Sequence, residues 1–178
     1  AQYISDPIAL EKFNECKARI KSMAIVHEKV YESNRLNGIN FHDYVDSLVE
    51  SYAGLLTNEG HPIDIVYQTD DQEKHIDIDF AMPISLIINE LISNSIKYAF
   101  VGGQKDAKVS VLFNGNGEPS SPYVLTVSDN GIGAQGKFTP SEGNSMGSVL
   151  VGALIEQLSA SSTIADEDGT SVTIKIIR

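Results

Sequence analysis

The sequence predicts an α+β fold, a two-layer α/β sandwich with an N-terminal helical extension. Three observations lead there. Helical and strand periodicities alternate along the chain, two strand-like runs flank a short turn, and the most apolar helix needs a sheet to cover it. Strands joined partly by hairpins and partly through helices give a mixed sheet with helices on one face. With 178 residues and 42% apolar composition, the chain is long enough to bury a core and still carry an extension.

Asp6 followed by Pro7 is a cap and then a proline at the first helical position, and Phe13, Ile20, Met23, His27 and Val30 continue at helical spacing to about Tyr31. Residues 33–38 are polar and turn-rich. Asn40 then caps a second helix with Phe41, Tyr44, Leu48, Tyr52 and Leu55 along one face. Residues 63–67 alternate like a strand. Pro83 opens a third helix over 84–100, whose buried side carries Leu86, Ile87, Leu91, Ile92 and Ile96. Residues 108–113 and 123–128 read as strands joined across Asn114-Gly115-Asn116-Gly117-Glu118-Pro119, a hairpin. The glycine-rich stretch 131–147 predicts a mobile loop, followed by a helix over 148–158. The Asp168-Gly169 turn leads into a last strand over 171–177.

Charge narrows the partners. Twenty-four acidic against thirteen basic residues leave −11, which removes the basic footprint that nucleic acid or an anionic membrane requires. No apolar run approaches the roughly 20 residues that span a bilayer, and no signal-peptide pattern opens the chain, so no direct membrane insertion is expected. Cys16 is the only cysteine and no Asn-x-Ser/Thr sequon occurs, a pattern suited to the reducing cytoplasm. The chain starts at Ala1 without a methionine and its first residues read like the end of an element, so further sequence upstream is expected.

The common nucleotide and hydrolase signatures are absent: there is no Gly-x4-Gly-Lys-Ser/Thr loop, no His-Arg-Asp or Asp-Phe-Gly triplet and no Gly-x-Ser-x-Gly elbow. Four histidines and one cysteine lack zinc spacing. Four other features stand out. Glu90 and Asn94 lie one turn apart on an otherwise apolar helix and share a face. An amide oxygen there can join a magnesium shell completed by water and phosphate oxygens. Lys97 and Tyr98 follow as phosphate or ribose contacts, while plain solvent exposure of an amphipathic helix remains the alternative. Asp129-Asn130-Gly131-Ile132-Gly133 ends a strand with a carboxylate and two glycines, which permits a tight turn and close approach to a flat ligand; an ordinary Asp-Asn-Gly turn would look the same. Gly143-Asn144-Ser145-Met146-Gly147 precedes a helix whose first N–H groups suit an anionic phosphate. Thr170, after Gly169, is placed to lend a hydroxyl near a base.

In this order, Asn89-Glu90-Leu91-Ile92-Ser93-Asn94-Ser95-Ile96-Lys97-Tyr98-Ala99, Asp129 to Gly133, Ser145-Met146-Gly147 and Gly169-Thr170 resemble the N, G1 and G2 boxes of the Bergerat-type ATP-binding fold shared by histidine kinases, gyrase, Hsp90 and MutL. The resemblance implies ATP and Mg2+ as cofactors, with Asn94 on the metal, Asp129 on the adenine amine and Gly147 in the lid. Gly131, Gly133, Lys97, Tyr98 and Thr170 then line the nucleotide. Upstream, the run from Ser5 to Glu11 and that from Ile20 to Tyr31 resemble the second dimerisation helix of the histidine kinases with a HisKA_2-type acceptor domain.

That resemblance divides the chain at residues 1–35, part of a dimerisation and phosphoacceptor domain, and 36–178, the ATP-binding catalytic domain. It implies a protein-histidine kinase of a two-component system, a homodimer through a helical bundle, with a response regulator receiver domain as partner. In the subgroup the acceptor histidine lies on a preceding helix, so it is expected upstream of Ala1. His27-Glu28 resembles the acceptor pair of other histidine kinases but falls late on the second helix, and a packed or partly exposed role is expected for His27. Ser148 and Gly152 stand where the subgroup has larger residues, which implies a looser lid. Glu90 occupies the box position where many histidine kinases carry asparagine and the ATP-hydrolysing relatives carry glutamate, which implies a base for an attacking imidazole or for water. The second option is the rival reading, an ATPase or conformational switch of the gyrase-Hsp90 type; a regulatory ATP-binding module or a serine kinase is the third.

Overall fold

A computed structural model describes residues 6–32, 38–52, 60–101, 104–134 and 146–177. Helix α1 (Pro7–Glu32) is followed by the two-residue strand β1 (Ile39–Asn40) and α2 (Phe41–Glu50). Then come β2 (Asp64–Thr69), β3 (His75–Ile76) and α3 (Ile78–Tyr98). Strands β4 (Lys108–Asn114) and β5 (Tyr123–Asp129) precede α4 (Met146–Gln157), β6 (Ser161–Ala165) and β7 (Ser171–Ile176).

The five-stranded sheet has the order β2-β4-β5-β7-β6. Only the β2–β4 pair is parallel, because its connection runs through α3; the others are antiparallel. The expected hairpin is β4–β5, in which Phe113 faces Leu125 and Val109 faces Asp129. Strict alternation buries Val109, Val111, Phe113, Leu125, Val127, Val172, Ile174 and Ile176 on one face. The opposite face carries Ser110, Thr126, Ser128 and Thr173 and needs no second covering layer. Helix α3 supplies Ile84, Ile87, Ile88 and Ile92 to the buried side, and α2 adds Phe41, Tyr44, Val45 and Leu48. The α+β sandwich read from the pattern is therefore the observed architecture.

Several boundaries differ from the sequence reading. Helix α3 starts at Ile78, so Pro83 lies inside it rather than at its opening. Burial of Phe80 and Ala81 holds the additional turn although Pro83 offers no N–H. Asn40 caps α2 as expected, its side chain accepting from the Asp43 N–H at 3.2 Å. Leu55, expected to continue that helix, lies outside the described residues, as does most of the glycine-rich loop (135–145) with Ser145. The sequence reading missed β6, a short polar edge strand, and the β1–β3 pair, which is only two residues long.

Helix α1 packs one face against α2 and α3 and leaves another open. Val26 and Ser22 are fully buried, and Ser22 Oγ lies 3.2 Å from the Tyr44 hydroxyl. Phe13, Ile20 and Met23 are exposed, as is His27. Among the described residues no helix is long and apolar enough to cross a membrane.

Candidate functional site

Strand β5 ends on Asp129, which is 8% exposed although it is a carboxylate. A buried charge needs hydrogen bonds, and Asp129 has three donors from three places. Ser95 Oγ donates to Oδ2 at 2.7 Å, and the N–H groups of Gly131 and Thr170 each donate to Oδ1 at 3.1 Å. A carboxylate offers about four acceptor positions, so one direction remains for a ligand donor such as an exocyclic amine.

The backbone around the carboxylate has no room for side chains. A Cβ on Gly169, at φ +98, would sit 2.0 Å from the Asp129 carbonyl oxygen, and one on Gly131 would sit 2.4 Å from the Ala99 carbonyl oxygen. Gly133, at φ +78, would drive a Cβ to 2.5 Å from Asp166 Oδ1, and that same oxygen accepts the Ala134 N–H. Asn130 turns away from the site and straps the turn to the sheet. Its Oδ1 accepts from the Lys108 N–H at 2.7 Å and its Nδ2 donates to the Asp106 carbonyl at 2.8 Å. The sequence motif is thus a rigid turn that aims one carboxylate.

Helix α3 connects this corner to a second one. Glu90 is 5% exposed, which rules out the plain solvent-facing alternative for that residue. Its partner is Arg19 of α1, with Nε 2.7 Å from Oε1 and an Nη 2.8 Å from Oε2, a bidentate pair. The hydrogen bond to Glu90 is the main reason the Arg19 guanidinium is held even more firmly charged than usual. Asn89 donates to Glu90 Oε1 at 3.3 Å and accepts from the Tyr52 hydroxyl at 2.6 Å. Burial, with the Glu90 charge nearby, pushes the Tyr52 pKa well up, so this phenol stays a donor.

Lys97, two turns beyond Glu90, is paired with Glu15 of α1. Tyr98 is 60% exposed at the end of α3, and Asn94 is half-buried between these residues. Gly147 opens α4 beside Glu90: a Cβ there would lie 2.7 Å from Glu90 Oε2. Ser148 and Gly152 are buried on α4, which packs on α3.

Most of the residues singled out from sequence lie on or against α3, while Gly133 sits beside Asp166. Asp129 meets Ser95 and the N–H groups of Gly131 and Thr170, while Glu90 meets Arg19 and lies beside Gly147. Thr170 reaches Asp129 through its backbone N–H. Sequence reasoning missed Ser95, Arg19 and Glu15. Ser95 had a signal, a small polar residue directly after Asn94 on the buried side of an apolar helix. Arg19 and Glu15 look like an ordinary opposite-charge pair one turn apart, and their partners are distant in sequence.

Residues 81–177 match the family described as histidine kinase-, DNA gyrase B-, and HSP90-like ATPase. The chain belongs to that family. A second family, described as histidine kinase, matches residues 1–55. The two matches together make this chain a histidine kinase catalytic region, a protein-histidine kinase transferase in which the ATPase-family segment implies ATP binding. No curated protein matches the chain.

Solved structures share the fold. The histidine kinase domain of the blue-light activated kinase EL346 from Erythrobacter litoralis superposes with a TM-score of 0.75 at 18% identity, covering 91% of this chain and 74% of that one. The longer structure of EL346 gives 0.72 at 20% identity, covering 93% of this chain and 49% of that one, so the kinase region here spans about half of it. Histidine kinase AdeS from Acinetobacter baumannii gives 0.57 at 16%, with 98% and 86% covered.

The donor set fits a nucleotide with its metal. Among the described residues no group of three or more His, Cys, Asp or Glu is placed to hold a metal by itself. Asn94, half-buried on α3, can add its amide oxygen to a hard ion whose other ligands come from phosphate and water.

Proposed function

We propose that this kinase holds Mg2+-bound ATP between the turn after β5 and the exposed end of α3, and passes the γ-phosphoryl to a histidine on its dimerisation helices. Asp129 accepts the adenine amine, with Gly131, Gly133 and Thr170 shaping the slot around the base. Asn94 holds the magnesium ion, which when bound neutralises phosphate charge. Lys97 and Tyr98 reach the phosphates and ribose, and Gly147 forms part of the lid. Glu90 is the general base for the attacking imidazole. Protein chemistry of this kind is mainly positioning and charge neutralisation. The observation that supports the reading best is the Asp129 carboxylate, buried, held by three donors and left with one acceptor direction.

Residues 1–35 act as part of the dimerisation domain and 36–178 as the catalytic domain, in a cytoplasmic protein. The exposed Phe13, Ile20 and Met23 of α1 support a homodimer through a helical bundle. The phosphoryl group goes on to the receiver domain of a response regulator. His27, although exposed, is not the acceptor in this reading, which assigns that role to a histidine on another helix of the bundle.

Phosphorylation of the full-length kinase with γ-labelled ATP tests the reading. Label that is acid-labile and base-stable, and that survives His27→Asn, is the expected result. Acid-stable label would favour a serine kinase, and phosphate release without labelling would favour the gyrase-Hsp90 type. Asn94→Ala should abolish the magnesium dependence of ATP binding, measured by titration with and without chelator.

A further inference from the structure

Two of the residues assigned to nucleotide chemistry are held by a helix outside the ATP-binding segment. Glu15 and Arg19 lie one turn apart on α1, and Lys97 and Glu90 lie two turns apart on α3. The pairs are Glu15 with Lys97 and Arg19 with Glu90, so the helices run antiparallel with opposite charges facing. Sliding α1 one way along α3 would bring Glu15 toward Glu90, and sliding it the other way would bring Arg19 toward Lys97, so the charge pattern disfavours a shift in either direction.

The contact also reaches the end of the glycine-rich loop. An Arg19 Nη lies 3.6 Å from Met146 Sδ, and another lies 3.9 Å from the point where a Cβ on Gly147 would stand. One guanidinium, carried by α1, thus meets both the helix carrying Asn94 and the start of α4. A carboxylate clamped on both oxygens by a guanidinium is a poor proton acceptor. A lysine paired with a carboxylate is equally unavailable to phosphate.

We propose that Glu15 and Arg19 form a charge latch, in which docked α1 keeps Lys97 and Glu90 from the nucleotide, so that ATP binding and release of α1 favour each other. The latch rests on the assignment of Lys97 and Glu90 to the nucleotide site. Phosphate oxygens and the Glu15 carboxylate compete for one ammonium group, and linkage requires that whatever frees Lys97 strengthens nucleotide binding by the same factor by which nucleotide frees α1. Movement of α1 would then reach the ATP site through two ion pairs.

Glu15→Gln removes the competitor without altering any residue assigned to the nucleotide, and Glu15→Asp retains the charge. The chain, its two variants and a non-hydrolysable ATP analogue with Mg2+ are compared by calorimetry, and exchange of the α1 amides is followed by mass spectrometry. Analogue should speed α1 exchange in the wild type. Glu15→Gln should bind it about two- to fivefold more tightly, the range for a partly exposed ion pair, and show fast α1 exchange without nucleotide. Glu15→Asp should stay near wild type on both readings. Equal or weaker binding by Glu15→Gln, with a wild type that binds, overturns the latch and leaves the kinase reading standing. A wild type that binds no analogue overturns both.

Discussion

The two ends of the site are built differently. At the β5 turn the Asp129 carboxylate is fixed by Ser95, Gly131 and Thr170, all within the segment that matches the ATPase family. Beside Asn94 the charged groups are fixed by Glu15 and Arg19, which belong to the other segment. The first end is complete within the sandwich; the second depends on where a neighbouring helix sits. Under the proposed function, the first end would keep selectivity constant while the second adjusts reactivity.

The strongest way to break the comparison is to remove the fixed end. Asp129→Ala should cost about 1.5–3 kcal/mol of ATP affinity, more than tenfold in Kd, through loss of a charge-assisted hydrogen bond. Calorimetry reads this directly. Gly169→Ala attacks the same end through the backbone. A methyl 2.0 Å from the Asp129 carbonyl, at φ +98, should lower stability by about 1–3 kcal/mol in urea unfolding, with ATP affinity falling in the fraction that folds. A Gly169→Ala protein of wild-type stability would mean that this turn is not the rigid support it looks to be.

Smaller effects sharpen the contrast. Ser95→Ala leaves Asp129 two of its three donors and should weaken ATP by about 1 kcal/mol without altering its magnesium dependence. At the other end, burial pushes the Glu15 carboxyl up, but hydrogen bonds and charges from Lys97 and Lys12 outweigh that and hold it below its ordinary value. A depressed pKa in the folded state means that the Glu15 contribution is complete above the unfolded pKa and is lost as pH falls through the folded one. Docking of α1 should therefore be constant near neutrality and loosen only on the acid side of the carboxylate range. Amide exchange in α1 at neutral pH and at about pH 3.5 checks this.

Much of this was legible in the sequence because it is local. The alternation in β4, β5 and β7, the Asn40 cap and the hairpin glycines act over a few residues, and Asp129 to Gly133 is one short turn. The start of α3 was misread because a proline signal is local too, while the packing of Phe80 that overrides it is not. Strand β6 is held by its pairing with β7, and its Ser-rich run has little propensity of its own. Arg19 shows the same limit at the site: nothing within α1 indicates that its partner is Glu90, 71 residues away. Folding brings such pairs together through the register of two helices, which no short motif encodes.

The central claim is geometric and a structure with bound nucleotide tests it most directly. Crystals grown with Mg2+ and a non-hydrolysable ATP analogue should place the exocyclic amine of adenine within hydrogen-bonding distance of Asp129 Oδ2 and the metal on the amide oxygen of Asn94. Adenine elsewhere, or a metal held without Asn94, would contradict the account.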